Sequence, residues 1–113
     1  LYVRVNMSDK CKCMKPPFFY LDFDSIDVGE DGLGEITIDT CKHCGTKWIK
    51  YLIEEPQHTK SGRWWRALIG KNEENKISVN TSKSYIENQG WCFIGGSYFD
   101  GEVYKKERPI CIH

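Results

Sequence analysis

Four of the six cysteines in this chain of 113 residues fall into two close pairs, which constrains the fold more than any other feature. Cys11 and Cys13 are separated by one residue, Cys41 and Cys44 by two, and Gly45 follows directly. A disulfide within either pair would close a very small ring and restrain little of the unfolded chain. The same spacing turns each pair of thiolates toward one tetrahedral ion, so the sequence predicts a four-cysteine zinc site. Coincidental free thiols are the alternative.

The cysteine pairs flank a segment that is predicted to form a β-hairpin. The aromatic run at 18–23 and the alternating run at 35–40 are typical of strands, and glycine and acidic residues between them indicate a turn-rich loop. Similar lengths of chain separate this loop from each cysteine pair. Because strands rise by about 3.3 Å per residue, we expect closure of the hairpin to bring the two pairs together at its open end.

Residues 11–69 resemble the zinc-ribbon group, in which cysteine knuckles at strand ends grip one metal ion. The segment Cys41-Lys42-His43-Cys44-Gly45 matches the usual knuckle, whereas Cys11-Lys12-Cys13 has one intervening residue instead of two. The resemblance implies a structural zinc ion. Four thiolates fill the coordination sphere and leave no place for water or substrate, which argues against metal catalysis. His43 could replace a cysteine, but we interpret it as an exposed residue of the turn.

The complete sequence predicts a β-rich α+β domain over residues 1–113, with an antiparallel sheet, a zinc-ribbon-like hairpin and one short helix. Its parts are a poorly ordered arm at 1–10, a zinc-ribbon-like sheet at 11–69, and a helix plus C-terminal hairpin at 70–113. The further elements expected from the residue pattern are strands at 48–54 and 63–69, a helix at 83–89, a strand with a glycine bend at 91–99, and an edge strand at 102–105.

Cys92 and Cys111 each lie among apolar residues and are predicted to be buried free thiols, with a disulfide between them as the alternative. Thiolate ligands favour a reducing compartment, so we expect a cytoplasmic protein. The chain has no signal-peptide pattern and no apolar run of about 18 residues, which argues against a membrane partner.

The charges suggest one candidate partner surface. Sixteen basic and sixteen acidic residues balance, which argues against a wholesale nucleic-acid coat. Residues 22–39, however, contain seven acids and no base. A solvated hairpin tip is one interpretation. A docking surface for a basic partner, formed by Asp24, Asp27, Glu30 and Asp31, is the other.

A basic and aromatic run at 60–66 is a second candidate surface. Adjacent tryptophans on a strand point to opposite faces, so at least one of Trp64 and Trp65 enters the core and the two cannot form a flat stacking platform. Arg63, Trp64 and Arg66 are therefore candidates for contact with a protein. Single-stranded nucleic acid, held by Lys60 with the same strand, is the alternative.

No arrangement of residues indicates catalysis. The three histidines are scattered, and no glycine loop precedes a helix, so we expect a protein that is not an enzyme and has no catalytic residues. A thiol-redox protein, a third class, would need Cys41 or Cys44 to be exposed, metal-free and low in pKa.

The stretch 85–99, with Gly90-Trp91 and Gly95-Gly96-Ser97-Tyr98-Phe99, resembles segments of small bacterial proteins, some of which are immunity proteins that neutralise secreted toxins. The resemblance implies a stoichiometric protein-binding inhibitor. The resulting hypothesis is a zinc-stabilised module that binds a protein, with a bacterial toxin as the most concrete partner. A nucleic-acid-binding zinc ribbon is the alternative.

Overall fold

The computed structural model describes residues 11–113, and the arm predicted at 1–10 lies outside them. The six strands are β1 (Phe23–Glu30), β2 (Glu35–Cys41), β3 (Lys47–Ile53), β4 (Arg63–Leu68), β5 (Trp91–Gly95) and β6 (Val103–Glu107). They form one antiparallel sheet in chain order, so β1 and β6 are its edges. One short helix, α1 (Ser82–Glu87), lies between β4 and β5 within these residues. The predicted β-rich α+β fold is confirmed.

The first strand begins later than the sequence predicts. The aromatic run at 18–23 was expected to be extended, but Tyr20–Asp22 form a 3-10 turn, and β1 instead runs through the acidic residues assigned to the loop. These side chains are tolerated on β1 because an edge strand exposes them to water. The β1–β2 hairpin itself is confirmed, with Phe23 opposite Cys41.

The face of the sheet that α1 covers holds the larger core, and we call it the helix face. Alternation places Ile49, Tyr51 and Ile53 of β3 on this face, and all three are buried. Ile86 of α1 and the C-terminal Ile110 and Ile112 pack against them, with further residues contributed by the neighbouring strands: Ile36, Ile38, Trp65, Ala67 and Cys92.

The opposite face carries the cysteine pairs, and we call it the metal face. Its buried cluster contains Cys13, Phe23, Cys41, Trp48 and Phe93. Trp64 also packs on this face, whereas Trp65 lies on the helix face and is buried. The prediction that one of these two tryptophans enters the main core is therefore confirmed.

Two expectations for the C-terminal part were wrong. Ser97–Phe99 form a 3-10 turn rather than a continuing strand. The preceding Gly96 has φ of +121°, and a Cβ there would lie 2.4 Å from the carbonyl oxygen of Gly62, so the chain passes too close for any side chain. Cys111 was expected to be buried but is exposed, because its neighbours Ile110 and Ile112 point inward.

Cys92 is buried as predicted, and both it and Cys111 are free thiols. Among residues 11–113, none of the helices has the length and apolar character needed to cross a membrane.

Candidate metal centre

The four paired cysteines meet at one end of the metal face. The sulfur atoms of Cys11, Cys13, Cys41 and Cys44 all lie within 4.8 Å of one another. The Sγ atoms of Cys11 and Cys41 are 3.6 Å apart, as are those of Cys13 and Cys44. A tetrahedral zinc ion with bonds of about 2.3 Å sets its sulfurs about 3.8 Å apart. The predicted meeting of the two pairs is confirmed, and the cluster has the dimensions of a site for one metal ion.

Local backbone structure aims each pair at this point. A 3-10 turn at Lys12–Met14 compensates for the missing residue of the first knuckle and turns the Cys13 side chain inward. In the second knuckle, the N–H of Gly45 donates to the carbonyl of Cys41 (2.9 Å), with φ of +78° at the glycine. The N–H of His43 also donates to the Cys41 sulfur (3.4 Å). An N–H group that donates to sulfur, as that of His43 does, stabilises the thiolate.

Hydrogen bonds prepare Cys44 for ionisation. Burial opposes ionisation, but hydrogen bonds with the side chain and backbone of Thr46, and with Cys11 and Cys13, outweigh it and lower the pKa of Cys44 to about 7. The Thr46 Oγ1 lies 3.1 Å from the sulfur. A thiol that ionises near neutral pH is a competent metal ligand, because metals bind the thiolate.

The side chain of Asp22 contacts both cysteine knuckles and links them. Its carboxylate lies 3.1 Å from Nε2 of His43 and 3.2 Å from Nζ of Lys12, so it contacts the middle of both knuckles. The hydrogen bond with His43 is the main cause that lowers the pKa of Asp22. The His43 ring is therefore turned toward Asp22 and lies outside the sulfur cluster, as expected for a residue of the turn.

The surroundings of the sulfurs fit an anionic metal–thiolate cluster. Trp48 is buried among Cys13 and Cys41. Burial raises the pKa of Cys13, and the indole N–H of Trp48, which has no other partner among residues 11–113, opposes that rise. A thiolate accepts a hydrogen bond from an N–H group far better than a thiol does. Burial lowers the pKa of the neighbouring Arg66, while the negative charges of Asp39 and of the two sulfurs oppose that change. A buried cation and an N–H donor beside the sulfurs both favour negative charge there.

The structure corrects the prediction that Arg66 is a surface contact residue. Arg66 is 5 % exposed, and its Nη2 lies 3.2 Å from Oδ2 of the buried Asp39. Its guanidinium carbon stands 4.3 Å from the centre of the Phe23 ring and 5.0 Å from that of Phe18. The buried environment reflects the position of Arg66 on an inner strand, where both neighbours are paired.

The other basic-aromatic candidates do not form one surface. Alternation along β4 places Arg63 and Trp64 on opposite faces of the sheet. The guanidinium of Arg63 donates hydrogen bonds to the carboxylate of Glu55 (3.2 Å) and to the carbonyl oxygens of Ser61 and His113 (both 2.7 Å). A continuous strip of bases and aromatics for nucleic acid is therefore absent from this strand.

The acidic candidates divide into two groups. Asp24, Asp27 and Glu30 are exposed on the edge strand β1. Asp31 instead closes the β1–β2 turn, where it accepts hydrogen bonds from the N–H groups of the turn and from the hydroxyl of Tyr51 (2.5 Å). The first three are exposed, with Asp27 accepting one hydrogen bond from the N–H of Gly29 (3.1 Å) and Asp24 lying 3.9 Å from Lys42, whereas both carboxylate oxygens of Asp31 are engaged within the fold.

Comparison with known protein families, curated proteins and solved structures finds no match for this chain. What the structure supports is therefore the cysteine cluster itself, a set of residues able to bind one metal ion. Sequence reasoning missed Asp39, Trp48 and Arg66 as surroundings of the cluster. The only available signal was that Asp39 lies two residues before Cys41 and so shares its face.

Proposed function

We propose that this protein is a small module built around one structural zinc ion, and that it acts by binding another protein. The observation that supports a metal ion is that four cysteine sulfurs lie within 4.8 Å of one another, and two of these cysteines are buried. A tetrahedral set of four thiolates selects zinc or iron, and it leaves no coordination position for a substrate. Thiolate ligands also support a reducing compartment, such as the cytoplasm.

Two surface features support binding to a protein. Phe19, Tyr20 and Leu21 are consecutive and exposed, and contiguous apolar surface of this kind marks interaction sites. Asp24 and Asp27 expose carboxylates on the neighbouring edge strand, which would attract a basic partner. The resemblance of 85–99 to immunity-protein segments supports a toxin as that partner. The nucleic-acid alternative has less support, because Arg63, Trp64 and Arg66 are not exposed together.

The metal half of the proposal is tested by metal analysis and by thermal unfolding with and without a chelator. We expect one zinc ion per chain and a much lower melting temperature after chelation, because a structural metal contributes directly to folding. Cys41→Ser should lose the metal, and Cys111→Ser, outside the cluster, is the matched control. A chain that binds no metal, or that melts equally well without it, would contradict this half.

The binding half is tested by affinity capture with the zinc-loaded protein, followed by a direct binding measurement with the purified captured protein. A charge-reversed variant, Asp24→Lys with Asp27→Lys, tests the acidic edge. A gel shift with short oligonucleotides at low salt tests the alternative. Oligonucleotide binding without any protein partner would replace the proposal by that alternative.

A further inference from the structure

The metal face contains a groove floored by aromatic side chains. A cavity of about 150 Å³ is lined by Phe18, Phe19, Tyr20, Lys50 and Trp64, among others. A second cavity of about 710 Å³ is also lined by Phe18 and Trp64. The two cavities are therefore neighbours across these shared side chains, and we call them together the aromatic groove.

The shape of the floor depends on a glycine. A Cβ at Gly95 would lie 2.6 Å from Cζ2 of Trp64, so the indole lies directly against the backbone of β5. The Phe18 ring meets Trp64 edge to face at 6.2 Å between ring centres. The floor is thus built from packed aromatic rings rather than from loose side chains.

One wall of the groove is an exposed apolar ledge. Phe19 is 59 % exposed and Tyr20 is 83 % exposed. The N–H of Asp22 donates to the carbonyl of Phe19 (3.0 Å), and the Asp22 carboxylate contacts both knuckles of the metal centre. The backbone of the ledge is therefore tied to the metal site. A backbone that is already ordered loses little conformational entropy when a partner covers it.

The charges of the groove identify the kind of partner. Lys60 is paired with Asp100 (3.0 Å) and Arg66 with Asp39 (3.2 Å). Lys50 has no acidic partner within 4.0 Å among residues 11–113, so its ammonium group is free to pair with a ligand. A single free cation is too little for a polyanion, whose binding grows with the number of phosphates neutralised. It is sufficient for one carboxylate beside apolar side chains.

We propose that the aromatic groove binds an extended segment of a partner protein that carries a large apolar side chain next to a carboxylate. This inference rests on the proposed protein-binding function and assigns it a surface. The apolar side chain packs against Phe18 and Trp64, and the carboxylate pairs with Lys50. Arg66 also lines the smaller cavity and is buried; its Nη2 faces Asp39 at 3.2 Å, and its Nε has no hydrogen-bond partner among residues 11–113.

The direct test uses the zinc-loaded protein and a blocked peptide, acetyl-Gly-Leu-Phe-Glu-Leu-Gly-amide, followed by nitrogen-15 NMR. We expect shifts centred on Lys50 and on the Trp64 indole. Replacing glutamate with glutamine in the peptide should weaken binding about fivefold, as expected for one partly exposed ion pair. Lys50→Glu should weaken binding of the glutamate peptide further, whereas Lys71→Glu, an exposed lysine outside the groove, should not. Absence of shifts at millimolar peptide, or shifts elsewhere, would overturn the groove as the site.

The captured partner gives an independent test. Phe19→Ser with Tyr20→Ser should weaken its binding at least tenfold, whereas Leu33→Ser, exposed in the β1–β2 turn, should leave binding unchanged. A partner that binds these variants equally would overturn the groove while leaving the proposed function intact. A dimer abolished by the Phe19 change would show that a second copy occupies the groove, and would also overturn this inference.

Discussion

Replacing Asp39 by alanine should lower the free energy of unfolding far more than replacing any exposed acid does. Asp39 is 3 % exposed, and its Oδ1 accepts hydrogen bonds from Ser25 (2.8 Å) and Thr37 (3.0 Å). Its Oδ2 faces Nη2 of Arg66 at 3.2 Å. Without the carboxylate, the guanidinium of Arg66 would remain buried without its paired anion, and both hydroxyls would lose an acceptor.

The expected size follows from this geometry. Breaking a buried ion pair by removing one partner costs about 3–5 kcal/mol, because an uncompensated charge stays in the interior. A domain of this size has a free energy of unfolding of about 5–15 kcal/mol, so the loss is a large fraction of the total. Adding Arg66→Met to Asp39→Ala removes the stranded charge and should restore about 2 kcal/mol or more.

The assay is urea unfolding of the zinc-saturated protein, followed by tryptophan fluorescence and extrapolated to water. Asp24→Ala is the matched control, because Asp24 is an exposed acid on the same hairpin whose contact with Lys42 is 3.9 Å long. It should change the stability by about 0.5 kcal/mol or less. An Asp39→Ala loss below about 1 kcal/mol, or a double variant no more stable than the single one, would refute the reasoning.

Three further changes have defined outcomes. Tyr51→Phe removes the donor to Asp31 and should cost about 1–2 kcal/mol in urea unfolding at pH 7, with a loss below about 0.5 kcal/mol contradicting the role of that bond. Burial opposes ionisation of Asp31, but hydrogen bonds from Tyr51 and the turn lower its pKa. The stabilisation of the fold by the Asp31 carboxylate is thus complete above the pKa of about 3.9 that this group has in the unfolded chain. It is lost as pH falls through the lower pKa of the folded state, so Tyr51→Phe should flatten the acid side of the plot of stability against pH. Gly95→Ala places a Cβ 2.6 Å from the Trp64 ring and should cost about 1–3 kcal/mol with a shift in tryptophan emission; unchanged emission would show that the ring is not displaced. Cys111→Ser should leave the melting temperature within about 2 °C of the wild type, because the residue is exposed, and a larger fall would contradict that position.

Much of the sheet could be predicted from the sequence because its signals are local. Alternation in β2 and β3 reports directly which side chains face the core. The two cysteine pairs meet as predicted, but not through matched strand lengths, because Phe23 is paired with Cys41 and residues 14–22 lead from Cys13 to the start of β1. The same alternation accounts for Cys111, since two flanking isoleucines that point inward force it outward, but the sequence analysis predicted a buried thiol there.

The start of β1 and the ion pair between Arg66 and Asp39 could not be predicted from the sequence, for physical reasons. The aromatic run at 18–23 has a high strand propensity, but the chain must turn there to bring Cys13 onto the metal face. The contact of Arg66 with Asp39 joins β4 to β2 across β3, so it depends on the register of three strands. A basic residue in a basic segment is ordinarily exposed, and tertiary packing overrides that expectation here.

X-ray absorption at the zinc edge of the purified protein tests the central claim most directly. Four sulfur ligands at about 2.3 Å, with no oxygen or nitrogen in the first shell, are the predicted result. A first shell that contains water or a histidine nitrogen, or a folded protein with no zinc to measure, would contradict the account.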